Sequence, residues 1–172
     1  ANVLVADGVD TNTVIDGFTV TGGAGAGPDS TASGACAGVR GGGLFVLNGS
    51  PRVRNVRFVA NGSRDTGMWG GGAAVLGPAS APVFENVVFE RNTAERGGAL
   101  YAAAPVTIVN ATFNANVGGE PAFGQSGGGA ADFANGTVAT VANTIVWGNR
   151  VVGLSLDQPS SWTRAAIPTG TS

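Results

Sequence analysis

Four glycine clusters recur at near-constant spacing, and this recurrence constrains the 172-residue chain more than any local propensity does. They are Gly41-Gly42-Gly43-Leu44, Gly70-Gly71-Gly72-Ala73, Gly97-Gly98-Ala99-Leu100 and Gly127-Gly128-Gly129-Ala130, with starts 29, 27 and 30 residues apart. A period in this range marks a repeat architecture, in which a unit too small to bury its own apolar face stacks on its neighbours. A second motif follows each cluster: Asn55 to Phe58 to Asn61, Asn86 to Phe89 to Asn92, Asn110 to Phe113 to Asn116, and Asn143 to Val146 to Asn149. An earlier copy, Gly17 to Gly23, carries glycine at both Asn positions, so five copies of one unit are present.

Within each unit the apolar residues alternate, as in Val53, Val56 and Phe58 or Val106, Ile108, Ala111 and Phe113, with an Asn where the alternation changes phase. Period two with β-branched and aromatic residues predicts short strands, and no segment sustains a helical period. About three strands per unit, joined at Gly and Asn corners, predict an all-β right-handed parallel β-helix of about five coils. Coils ~4.8 Å apart would make a rod of roughly 24 Å. The helix is expected to span 1–150, with 151–172 a partial coil or tail.

Inside the rod, the motif Phe is expected to point inward and stack on the Phe of the next coil. The second motif Asn is expected to turn the chain through a left-handed conformation, and stacked Asn side chains to bond one another along the rod. In the outward column Arg54, Glu85, Val109, Ala142, the first two predict a cross-strand charge pair.

Charge excludes one class of partner. Nine Arg, no Lys and no His against eleven acidic residues give a net charge of −2, without the basic surplus that nucleic-acid binding needs. The absence of His and Lys also removes the usual proton relays and amine bases. A single cysteine, Cys36, supplies neither a disulfide framework nor a metal cluster. Asp7-Gly8-Val9-Asp10 lacks the further acidic ligands of a calcium loop and reads as a turn. No cofactor, metal or membrane span is expected. The chain starts and stops within the repeat pattern, so it is expected to be a piece of something longer, with its open ends covered by further sequence, by another subunit, or by end-to-end self-association.

The tetrapeptide Gly-Gly-Ala-Leu at 97–100 and Phe-x-x-Asn at 58–61, 89–92 and 113–116 resemble the hallmark repeats of the polymorphic outer-membrane protein family, the chlamydial-type adhesins and autotransporter passengers. More broadly, the repeats are similar to those of bacterial secreted right-handed β-helix proteins. The resemblance covers residues 14–149. It implies an extracellular or cell-surface location and a role in adhesion or polysaccharide binding.

The residues point the same way through loop length. Segments 24–40, 62–69, 93–96 and 117–126 all leave one corner of the coil, and insertions of varying length on one side of a solenoid mark its functional face. These loops supply Arg64, Trp69, Glu120 and Phe123 as candidate ligand contacts, Trp69 and Phe123 serving otherwise as covers over the coil. If Leu44, Ala73, Leu100 and Ala130 point inward, then Phe45, Ala74, Tyr101 and Ala131 point outward. Phe45 and Tyr101 would then lie ~10 Å apart as platforms for alternate sugars, with Trp147 either a third platform or packing for the tail.

Catalysis is the alternative reading. Similarity to polygalacturonase-like hydrolases would require Asn-Thr-Asp, Asp-Asp and Gly-His-Gly motifs, and none occurs. A carboxylate pair drawn from Glu85, Glu90 and Glu120 would suit a glycoside hydrolase. A polysaccharide lyase would need Arg40, Arg64 or Arg91 as base, against a guanidinium pKa above about 12. The expectation is therefore a non-catalytic segment, with a structural subunit of an extracellular assembly as a further alternative.

Overall fold

The computed structural model describes residues 1–24, 41–62, 67–119, 127–134, 136–151 and 162–163. Each turn of the chain lays down three short strands. The first coil holds β1 (Leu4–Asp7), β2 (Val14–Asp16) and β3 (Thr19–Thr21), and the second β4 (Leu44–Leu47), β5 (Arg52–Arg54) and β6 (Arg57–Val59). The third holds β7 (Ala73–Leu76), β8 (Val83–Glu85) and β9 (Val88–Glu90), and the fourth β10 (Leu100–Ala102), β11 (Val106–Val109) and β12 (Thr112–Asn114), followed by β13 (Val117–Gly118). The fifth holds β14 (Ala131–Phe133), β15 (Ala139–Ala142) and β16 (Ile145–Trp147), then β17 (Arg150–Val151), and β18 (Trp162–Thr163) comes last.

Every strand pairs in parallel with its counterpart one coil away. The result is sheet A (β1-β4-β7-β10-β14-β18), sheet B (β2-β5-β8-β11-β15), sheet C (β3-β6-β9-β12-β16) and the short pair β13-β17. The chain is thus a parallel β-helix of five coils, three strands to a coil, as the repeat predicts. Among the described residues no helix is long and apolar enough to cross a membrane.

The core consists of columns running along the rod. Val20, Phe58, Phe89, Phe113 and Val146 lie in register in sheet C. The rings of Phe58 and Phe89 stack at 4.9 Å, and those of Phe89 and Phe113 at 4.8 Å, the spacing of adjacent strands. Phe84 from sheet B meets Phe58 edge-on at 6.4 Å and so ties two columns together. Leu44, Ala73, Leu100 and Ala131 form the facing column in sheet A.

The corners depart from expectation in one respect. The first motif Asn is left-handed, with φ of 54° at Asn55, 53° at Asn86, 54° at Asn110 and 48° at Asn143. The second motif Asn is not; the residue before it takes that conformation, with φ of 52° at Ala60, 54° at Arg91 and 54° at Ala115. The second Asn instead turns its amide into the rod. Asn92 Oδ1 accepts from the Asn61 backbone N–H at 3.0 Å and from Asn61 Nδ2 at 3.1 Å, while Asn92 Nδ2 donates to Phe58 O and to Asn116 Oδ1, each at 2.9 Å. The same bonds repeat from Asn61 through Asn116 to Asn149, forming a buried amide ladder beside the Phe stack. This side-chain bonding holds Ala60, Arg91 and Ala115 in a conformation that costs an L-residue about 1–2 kcal/mol.

The outward charge column is also paired differently. Arg54 and Glu85 are register partners, but the Arg54 guanidinium turns the other way, its Nε 2.9 Å from Asp16 Oδ2. Asn55 Nδ2 donates to the other oxygen of Asp16 at 2.8 Å. That hydrogen bond, followed by Arg54, holds the Asp16 carboxyl below its ordinary pKa. Arg57 and Arg91 both reach Glu90, at 3.1 and 3.2 Å.

Candidate functional site

The corner between sheet C and sheet A is fastened on both sides of its loops. On the exit side Gly62 bridges Thr93 and Thr93 bridges Val117, continuing into the β13–β17 pair; on the entry side Trp69 bridges Arg96. After Trp69 the chain must turn at once into the coil, and Gly70 does this with φ of 70°. The next residue has no room for a side chain: a Cβ on Gly71 would lie 2.4 Å from Gly98 O and 2.5 Å from Thr93 O. Backbone therefore packs on backbone here, and the side chain of Trp69 is directed back over the outer face of sheet A.

A cluster of four side chains is built there. The ring centroids of Trp69 and Tyr101 are 4.8 Å apart at an interplanar angle of 46°. The Arg96 guanidinium carbon lies 5.3 Å from the Trp69 centroid and 5.1 Å from that of Tyr101, within cation–π range of both rings. Arg96 Nε donates to Asp132 Oδ2 at 2.7 Å. Asp132, the register partner of Tyr101, is buried. Burial by itself would pull the Arg96 pKa down, but the hydrogen bond and charge of Asp132, with smaller contributions from Tyr101 and Glu95, leave it above its ordinary value. The cation is thus fixed permanently between two rings and a carboxylate, which suits it to orient neighbours or a ligand rather than to exchange protons.

The outward register of Phe45, Ala74 and Tyr101 is as expected, one coil apart each. Their exposure is not. Tyr101 is only 3% exposed because Trp69 and Arg96 lie over it, so it is no open platform. Phe45 and Trp69 are each half-buried and keep part of their surface in solvent. Trp147, at 76% exposure, does point outward, but from sheet C on the last coil and away from this cluster. Arg64, Glu120 and Phe123 lie outside the described residues, as do Arg40 and Cys36.

Two members of the cluster, Arg96 and Asp132, are absent from the expected contacts. With Gly127 as the counterpart of Gly97, Ala131 is the outward residue and Asp132 falls on the inner face. The pairing instead sets Leu100 on Ala131, so Ala131 points inward and Asp132 outward. The signal was available: Gly128-Gly129-Ala130 repeats Gly97-Gly98-Ala99 and, once matched to it, carries Asp132 beneath Tyr101. Among the described residues no group of three His, Cys, Asp or Glu side chains is arranged to hold a metal ion. In comparisons with known proteins, no family model, no curated protein and no solved structure matches the chain.

Proposed function

We propose that this chain is a non-catalytic binding segment of an extracellular or cell-surface β-helix, and that it contacts a polysaccharide or cell-surface ligand at the corner between sheets C and A. One observation carries the reading. At the corner where loops of unequal length leave an otherwise regular rod, a partly exposed indole is backed by a tyrosine and flanked by an arginine–aspartate pair. Sugar recognition draws on these elements: an apolar ring against the C–H face of a pyranose, and charged donors and acceptors beside it for the hydroxyls. Phe45, half-buried on the same outer face, extends the apolar surface along the rod. Arg64, Glu120 and Phe123 belong to the loops of this corner by sequence and complete the proposed contact set.

The test is a glycan array followed by titration calorimetry on the best ligands, with Trp69→Ala and Phe45→Ala compared with the parent chain. Trp69→Ala should weaken binding at least tenfold, and circular dichroism should show the β-helix retained. The same polymers, with pectin and alginate added, are incubated with the chain and assayed for reducing ends and unsaturated sugars. Turnover without array binding would sink the proposal in favour of an enzyme.

A further inference from the structure

The charge of the chain is unevenly placed along the sequence. The four segments that leave the sheet C to sheet A corner, 24–40, 62–69, 93–96 and 117–126, together with Asp132 hold five acidic residues against three arginines. The acidic five are Asp29, Asp65, Glu95, Glu120 and Asp132. The rest of the chain holds six acidic residues against six arginines, so the whole net charge of −2 belongs to this corner. On sheets B and C opposite charges are interleaved instead: Arg54 meets Asp16, and Arg57 and Arg91 both meet Glu90.

Among the described residues of the corner Arg96 is the one cation, and its charge is already committed. Its Nε donates to Asp132 Oδ2 at 2.7 Å, and the Asp132 side chain is 4% exposed, so this carboxylate cannot turn to water and release its partner. The preceding residue, Glu95, makes no ion pair among the described residues. Its Oε2 accepts instead from the Gly67 N–H, two positions before Trp69. A ligand seated on the indole and reaching Arg96 thus comes between a buried carboxylate and a half-buried one that share a single guanidinium.

A carboxylate or sulfate on that ligand would be the third anion gathered about one cation. At such range, with water partly excluded, the two resident carboxylates repel it as the guanidinium attracts it, and its desolvation is left uncompensated. A hydroxyl meets no such penalty, since it can donate to a carboxylate and accept from the guanidinium. We propose that the corner takes uncharged polysaccharide and rejects polyuronate and sulfated chains, with Asp132 and Glu95 around Arg96 as the discriminating groups. This rests on the reading of the corner as a polysaccharide site and names the class of chain it selects.

The test is an array on which each polyuronate or sulfated glycan is printed beside its carboxyl-reduced or desulfated counterpart of the same linkage and length. The intact chain should bind the uncharged member of a pair about tenfold or more tightly than the charged one, and Trp69→Ala should remove that binding. Raising the salt concentration roughly tenfold should narrow the gap, because repulsion is then screened. Asp132→Asn, which releases the Arg96 charge, should narrow it about tenfold. Glu85→Gln, the same change of charge on sheet B, should leave it as it is. Equal or tighter Trp69-dependent binding of the charged members would overturn the inference and leave the polysaccharide reading standing. A gap that Glu85→Gln narrows as much as Asp132→Asn does would overturn the assignment to the groups around Arg96. Binding of neither member of any pair would remove the polysaccharide reading and the inference with it.

Discussion

Replacing Asn92 by alanine removes the central rung of the buried ladder. Its side chain is fully buried and makes four hydrogen bonds: it accepts two from Asn61 and donates one each to Phe58 O and Asn116 Oδ1. Truncation strands the Asn61 backbone N–H and one hydrogen of the Asn61 amide, and takes one of two donors from the Phe58 carbonyl, which stays in the β6–β9 ladder. Asn116 Oδ1 keeps its bond from the Asn92 backbone N–H, at 2.9 Å. Two orphaned buried donors at about 1–3 kcal/mol each predict a loss of roughly 2–6 kcal/mol, a large part of a domain's total stability. Asn92→Asp is the sharper perturbation, since it keeps the shape but sets a carboxylate against the two acceptors that the amide faces, Phe58 O and Asn116 Oδ1. Both burial and those acceptors disfavour the anion, so its native pKa must rise above the unfolded value of about 3.9. The native state then holds the proton more tightly, and the variant loses stability relative to the parent as pH climbs from about 4 through the raised native pKa, levelling off above it. Below pH 4 the carboxylic acid donates one hydrogen bond and part of the deficit returns. Urea unfolding followed by far-UV circular dichroism, at pH 3.5 and pH 7, measures both effects. An Asn92→Ala cost below 1 kcal/mol, or an Asn92→Asp deficit that does not shrink on acidification, would refute the claim that the ladder is a stabilising element.

Three further predictions rest on burial, on backbone conformation and on close backbone packing. Arg96→Ala abandons the nearly buried Asp132 carboxylate, whose side chain is 4% exposed, whereas Asp132→Ala leaves an Arg96 side chain that is 28% exposed and can turn to water. Removing the arginine should therefore cost about 3–5 kcal/mol and removing the aspartate clearly less, as read by thermal melting of the two variants. Ala60→Gly and Ala115→Gly relieve left-handed alanines, with φ of 52° and 54°, and should each raise stability by about 0.5–1 kcal/mol in urea titration. Gly71→Ala, whose Cβ would meet backbone oxygens of the next coil at 2.4 and 2.5 Å, should fail to fold.

The fold was legible because glycine spacing sets the coil length and two-residue alternation sets the strands, and both are properties of single positions. The inward Phe stack followed directly. The left-handed corners at Ala60, Arg91 and Ala115 did not, because nothing in an alanine or arginine announces that conformation; the following Asn imposes it through bonds to other coils. At the candidate site, the outward position of Tyr101 was readable from alternation, but its burial depends on Trp69, 32 positions earlier, folding back over it. Asp132 was hidden for a simpler reason, a one-residue ambiguity in a run of three glycines; the match of Gly128-Gly129-Ala130 to Gly97-Gly98-Ala99 points to the right alignment and strand register settles it.

The paired stems at the sheet C to sheet A corner have a consequence for what the rod can carry. Gly62, Thr93 and Val117 on one side, and Trp69 and Arg96 on the other, hold the ends of each loop at a separation set by the coil and not by the loop. Only two residues, 94 and 95, span the gap in the fourth coil, against six, 63–68, in the third. Since closure entropy grows only with the logarithm of length, extending the shorter span eightfold would cost about 2 kcal/mol. The corner behaves as a socket: its stems fix where a loop begins and ends, so loops of different length are displayed from one place while the coils above and below keep their register.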